Sequence, residues 1–254
     1  ASDVYKRQEL MNTSVELLTT LVISVFFSVE MVWLMIKLTT ERKQERTLQP
    51  TALSYVRQIA FLFYFASRLS AAFIPIMAKN FGETVFGMST NAAAALPQST
   101  ETLLTCAAIL ITTEILTRKG WKLPFGIGLL LVASGTFLSA VSPTLIVFIG
   151  ARAVVGLGYG FCWMTLRNLA LFGKNDSEQA WGFSMLNAGL YAGMNCGSSL
   201  GAILAEKFGY QNVFFIAAAL TLLCSGVIIR MENAVLPRRE EALPEEKEHV
   251  SFSV

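Results

Sequence analysis

Two arginines in this chain stand where arginine is costly. Arg68 and Arg152 each fall inside a long apolar run, 56–78 and 144–166, that carries little other charge. A cation at the depth of a bilayer core costs about 2.5–3.5 kcal/mol even on insertion scales, so it needs an acidic partner, a water-filled path or an anionic ligand. Arg68 has Tyr64 one turn before it and is read as facing a cavity, where its planar fork could grip a carboxylate or phosphate. Arg152 has two readings, a cavity cation or a donor to carbonyls of a neighbouring helix. Asn187, Tyr191 and Asn195 offer neutral hydrogen bonding further along, either to a solute or between helices. Glu114 sits one turn before Arg118, so it either closes a local salt bridge or takes part in proton coupling. None of these groups forms a nucleophile–base arrangement, and no catalytic cluster exists in the chain. Cys106, Cys162, Cys196 and Cys224 are widely spaced without a CxxC pair, and the single histidine, His249, lies in a polar tail. That pattern calls for no metal, no cofactor and no disulfide framework.

The elements that must hold these residues follow from composition. Hydrophobic residues make up 54% of the chain and charged ones only 15%, against about 25% charged in a soluble domain. The charges cluster between apolar stretches, as expected of a chain solvated by lipid, and a net charge of +2 points to no nucleic-acid partner. A membrane-crossing helix needs about 20 mostly apolar residues. Seven stretches qualify: 15–38, 56–78, 101–116, 123–141, 144–166, 180–205 and 212–229. The expected fold is an all-α integral membrane protein, since backbone groups in lipid must bond within their own helix. Residues 1–8 are read as a non-native leader, 9–38 as the first helix and 39–55 as a cytoplasmic linker. Residues 56–230 then form a six-helix bundle, and 231–254, with the acidic run 240–248, a cytoplasmic tail. Pro75 is expected to kink its helix near the outer end.

Basic residues orient the spans. With the C-terminus in the cytoplasm, fourteen lysines and arginines fall on the inner side, and only Lys79 and Lys207 on the outer, a clear positive-inside bias. Arg68 then lies eleven residues past Arg57, about 16 Å along the helix axis and near the membrane centre. Glu30 and Glu114 lie nearer the inner face and Glu101 nearer the outer. No acidic residue of the chain is therefore expected at the depth of Arg68.

Glycines complete the pattern. Gly189, Gly193, Gly197 and Gly201 recur every four residues, a flat stripe against which a second helix can pack closely. Arg152 is followed by Gly156, Gly158 and Gly160, and a tight basic loop, 117–122 (TRKGWK), separates two spans. In this order the features resemble a six-helix repeat of the major facilitator superfamily over about 56–229. Arg152 with Gly156, Gly158 and Gly160 matches the arginine–glycine motif of the repeat's fourth helix. Gly193, Gly197 and Gly201 match the glycine motif of its fifth, and Arg118, Gly120 and Lys122 match the end of the loop motif. The acidic residue of that loop motif would fall at Thr117, and the proline typical of antiporters at Ser198, so antiport is not supported. The degenerate loop favours the C-terminal repeat.

The resemblance implies a secondary transporter in the plasma membrane that moves a small solute by rocking two six-helix bundles. The second bundle would come from a missing N-terminal half. Arg68, Tyr64, Arg152, Asn187 and Tyr191 are the candidate substrate residues, and an anionic solute suits them. The first helix has a second explanation, as the anchor of an extracellular sensor domain, which would make the chain a signalling module.

Overall fold

The computed structural model describes Leu18, Val22, Val25, Val29 and Trp33, then residues 55–85, 87–171 and 176–235, with side chains through 224 and at 226. The leader, most of the first span, the linker through 54 and the tail beyond 235 lie outside the described residues, as does Glu30. The five described positions of the first span are helical, and the Trp33 ring lies 5.1 Å from the Arg57 guanidinium.

The described chain is helical and, among the described residues, contains no strand. Helix α1 spans Val56–Arg68, and a single 3-10 turn, Ala71–Phe73, leads into α2, Ile74–Asn80. A short α3, Thr90–Ala93, precedes α4, Leu96–Lys119; then come α5, Lys122–Ala140, α6, Leu145–Ala170, α7, Asp176–Phe208, and α8, Tyr210–Val235. Among the described residues, four segments, Val56–Asn80, Thr90–Lys119, Lys122–Ala140 and Leu145–Ala170, are long and apolar enough to cross a membrane. The first of these, Val56–Asn80, is interrupted between Arg68 and Ile74. Pro75 does not kink a continuous helix at its own position. The break precedes it at 69–73, where Pro75 cannot supply an N–H and its ring would clash with the carbonyl four residues back. The proline instead sits in the first turn of α2, where a missing N–H costs nothing.

Helix ends follow local chemistry. Gly120 closes α4 with φ of 75° and donates its N–H to the Leu116 carbonyl at 3.1 Å, a conformation that glycine adopts without strain. Arg118 and Lys119 in the last turn complement the carbonyl end. At the other end of the bundle, Thr144 caps α6 by accepting from the Val147 N–H, and the Glu83 carboxylate accepts from the Leu145 N–H at 2.8 Å. That bond ties the loop after α2 to the start of α6.

The glycine stripe sets the packing. On α7, Gly189, Gly193, Gly197 and Gly201 meet the backbone carbonyls of Arg57, Phe61, Phe65 and Leu69 in turn. Both series advance by four in the same sense, so α1 and α7 run parallel. The same logic makes α4 and α6 parallel, because Gly156 meets Glu101 while Gly160 meets Thr105 and Ala108. Helices α5 and α6 are antiparallel, with Gly128 against Gly158 and Gly135 against Ala151 and Val155. Helix α1 packs on α7 and α8, α4 on α6, and α5 on α6 and α8. Nearly all of α1 is buried, so it forms the core on which the others close.

Since α4 runs between the short helix α3, which holds Asn91, and the turn at Gly120, those two places must lie on opposite faces of the membrane. Single cysteines at Asn91 and Lys119, both exposed, in a background lacking the four native cysteines, should react with an impermeant maleimide from opposite sides. Labelling of both from one side would refute the crossing of α4.

Candidate functional site

Arg68 ends α1, Glu101 lies in the second turn of α4, and Arg152 lies in the third turn of α6. The three meet. Arg152 donates from both Nε, at 3.1 Å, and Nη2, at 2.5 Å, to the same carboxylate oxygen, Oε2 of Glu101. The other oxygen, Oε1, lies 3.5 Å from Nη1 of Arg68. One carboxylate thus serves two guanidiniums, and the cluster carries one uncompensated positive charge.

This corrects the expectation that no acidic residue of the chain reaches Arg68. The third apolar span was expected to open at 101, which would leave Glu101 nearer the outer surface. It opens at Leu96 instead, with Pro97 in its first turn. Five more residues put Glu101 about 7.5 Å deeper. Close approach of α4 to α6 at Gly156, where a β-carbon would collide with the Glu101 backbone, then brings the carboxylate to Arg152. Thr105 reinforces the crossing by donating to the Gly156 carbonyl at 3.0 Å.

The two arginines are held differently. The Arg152 side chain is 2% exposed and that of Glu101 3%, whereas Arg68 retains 21%. The Arg68 guanidinium lies 4.3 Å from the centroid of the Tyr159 ring, a cation–π contact that supports a desolvated cation. Its Nε has no hydrogen-bond partner among the described residues, and neither has Nη1 of Arg152. A guanidinium offers five N–H donors, so Arg68 keeps unused capacity for an acceptor.

Tyr64 belongs to the wall of this site. It is buried, stacked on Tyr159 with centroids 6.3 Å apart, and edge-on to Trp163 at 6.1 Å. Arg68, Tyr64 and Arg152, singled out from sequence, are therefore brought together. Asn187 and Tyr191 are not: they sit on the exposed face of α7, Tyr191 at 63%. Asn195 on that face donates to the Tyr191 carbonyl at 2.8 Å. Glu114 is joined to Arg118, with Nε and Nη2 each 2.6 Å from Oε1, at an exposed position. A separate cavity of about 380 Å³ between Asn80, Phe81, Phe208 and Tyr210 has no charged side chain in its lining.

Sequence reasoning missed Glu101 and Tyr159. Glu101 could have been found by cost alone, because a carboxylate within an apolar helix needs a cation as much as Arg152 needs an anion. Tyr159 gave no such signal, since a tyrosine among glycines reads as packing until α1 is placed beside it.

Comparison with known proteins agrees with this architecture. A human protein described as the voltage-gated purine nucleotide uniporter SLC17A9 is 32% identical over 73 residues, 29% of this chain but only 17% of that protein's length. The family profile of the Major Facilitator Superfamily matches residues 59–253. With helices but no strand among its described residues, and apolar crossings on a glycine-lined interface, the chain belongs to the major facilitator superfamily of membrane transporters.

Proposed function

We propose that the chain supplies one six-helix bundle, 56–230, of a secondary transporter that moves a small anionic solute by alternating access, with Arg68 as its anion anchor. The observation that carries this is the unbalanced cluster of two arginines on one glutamate. Arg152 takes up the Glu101 charge, while Arg68 is the looser, more exposed and less satisfied of the pair. Tyr64 and Tyr159 shape the wall beside it. Nucleotides, named for the human relative, are anions of this chemical class.

A second bundle is required. Ser184, Asn187, Tyr191 and Asn195 line one exposed face of α7, about 200° around the helix from the glycine stripe. Lipid tails offer these groups no hydrogen bonds, so the face suits a water-filled cavity or the polar surface of a partner bundle. Such a bundle, from an N-terminal half of the same protein, would close the cavity over Arg68, as two-repeat transporters do around a midplane site. In this reading the C-terminus and the 117–122 loop face the cytoplasm of the plasma membrane, in keeping with their basic residues.

The test is Arg68 in the complete protein reconstituted into vesicles. Arg68→Gln removes charge and fork, while Arg68→Lys keeps the charge alone. Both should reach the membrane, because Glu101 retains Arg152. Uptake of an anionic solute should fall about tenfold or more, the loss expected for a charge-assisted contact of about 1.5 kcal/mol or more. Normal uptake by Arg68→Gln would make the arginine structural and end this assignment.

A further inference from the structure

The arginine cluster is one end of a longer track. Tyr159, Trp163 and Arg167 follow at four-residue intervals on α6, and Arg152 precedes Tyr159 by two turns, so all four share one helix face. Arg68 lies over Tyr159, Tyr159 stacks on Tyr64, and Tyr64 meets the edge of Trp163. At the far end the Arg167 guanidinium lies 5.5 Å from the Trp163 ring and 5.8 Å from that of Phe183 on α7. Helix α6 runs parallel to α4, so Arg167 is at the end of the bundle that carries Arg118 and Lys119. It is about 12 Å along the axis from Tyr159.

Arg167 differs from Arg118, an arginine also exposed in the last turn of its helix. Arg118 is paired with Glu114, whereas no carboxylate among the described residues pairs with Arg167. It is exposed, yet its guanidinium is held beside two rings, which fixes the cation while leaving its N–H edge open. Trp163, half-buried, connects this cation to the aromatic wall beneath Arg68.

We infer that Arg167, with Trp163 and Phe183, forms a second anion-binding station at the mouth of the Arg68 path. It would take a soluble phosphate or carboxylate group before or after its stay at Arg68. The passage to Arg68 rests on the reading of that residue as the anion anchor; binding at Arg167 does not. A phosphate at this level could also come from a lipid headgroup, and the test separates the two sources.

The complete protein, with Trp33, Trp121 and Trp181 replaced by phenylalanine, leaves Trp163 as the one tryptophan of this chain's sequence and a reporter beside Arg167. Tryptophans contributed by any further segment would be replaced likewise. Inorganic phosphate is titrated into lipid-free detergent solution, with chloride held constant. A saturable change in Trp163 emission is expected. Arg167→Gln should raise the half-saturating phosphate about tenfold or more, and Arg167→Lys by less. Both variants should elute as the parent does, because the side chain is exposed. Arg68→Gln should leave the Trp163 response in place, so failure of the Arg68 reading and failure of this one are distinguishable. The inference is overturned if the parent shows no response, if Arg167→Gln responds like the parent, or if a response appears only when an anionic phospholipid is added.

Discussion

Glu101→Ala should be the most destabilising single change in the bundle, at about 3–5 kcal/mol, the cost of breaking a buried ion pair from one side. The reason is stoichiometric. Glu101 is the acceptor for both Nε and Nη2 of Arg152 and, among the described residues, the anion paired with Arg68. Its removal leaves two guanidiniums in the interior with no acidic partner among the described residues. Arg152→Met should cost less, because Glu101 keeps Arg68 within reach, and Arg68→Gln least, because the tighter pair survives. Thermal unfolding of the purified complete protein, followed by loss of the monodisperse species, should rank the midpoints in that order. A midpoint for Glu101→Ala at or above that of Arg68→Gln would mean that the cluster is not what joins α4 to α6.

Gly197→Leu should be nearly as damaging, through sterics rather than charge. A β-carbon at Gly197 would stand 2.5 Å from the Phe65 carbonyl oxygen and 3.2 Å from its carbonyl carbon. Backbone cannot swing aside as a side chain can, so α1 and α7 would have to separate. Overpacking a tight core costs about 1–3 kcal/mol, and loss of the neighbouring contacts at Gly193 and Gly201 would add to it. The complete protein should express poorly or be trapped without transport. Gly150→Ala is the control, since among the described residues nothing beyond its own stretch of helix lies within 4 Å of its β-carbon position and alanine favours a helix over glycine by about 1 kcal/mol. Equal expression and uptake for Gly197→Leu and Gly150→Ala would place the stripe against lipid and undo the α1–α7 interface.

Much of the fold was legible before any coordinates. Long apolar runs separated by basic clusters can only be membrane helices, because lipid supplies no hydrogen-bond partner to an irregular backbone. The four-residue recurrence of Gly189, Gly193, Gly197 and Gly201 announces a close helix contact, since nothing else explains a flat stripe on a helix that must be buried. The turn at Gly120 was also visible, as a glycine between a basic helix end and the next apolar run. Arg68 and Arg152 were legible as anomalies of cost.

Their resolution was not. Whether a buried arginine meets an acid, a carbonyl or a solute depends on which helices become neighbours and in what register. Residues 101 and 152 are 51 positions apart, and no local pattern connects them. Helix onset mattered as much: hydropathy dims at the polar residues 98–101, so the helix seemed to open at Glu101, whereas Pro97 starts it a turn and a half earlier. Likewise Pro75 advertised a distortion, but only the packed structure settled that the chain breaks ahead of it and restarts with the proline in the new first turn. Local sequence determines which residues can be helical and which cannot lie in lipid, because propensity and solvation act residue by residue. Which charge answers which, and that Glu101 is shared while Arg68 keeps spare donors, is decided by tertiary packing, because a carboxylate's partners depend on distances set by three helices at once.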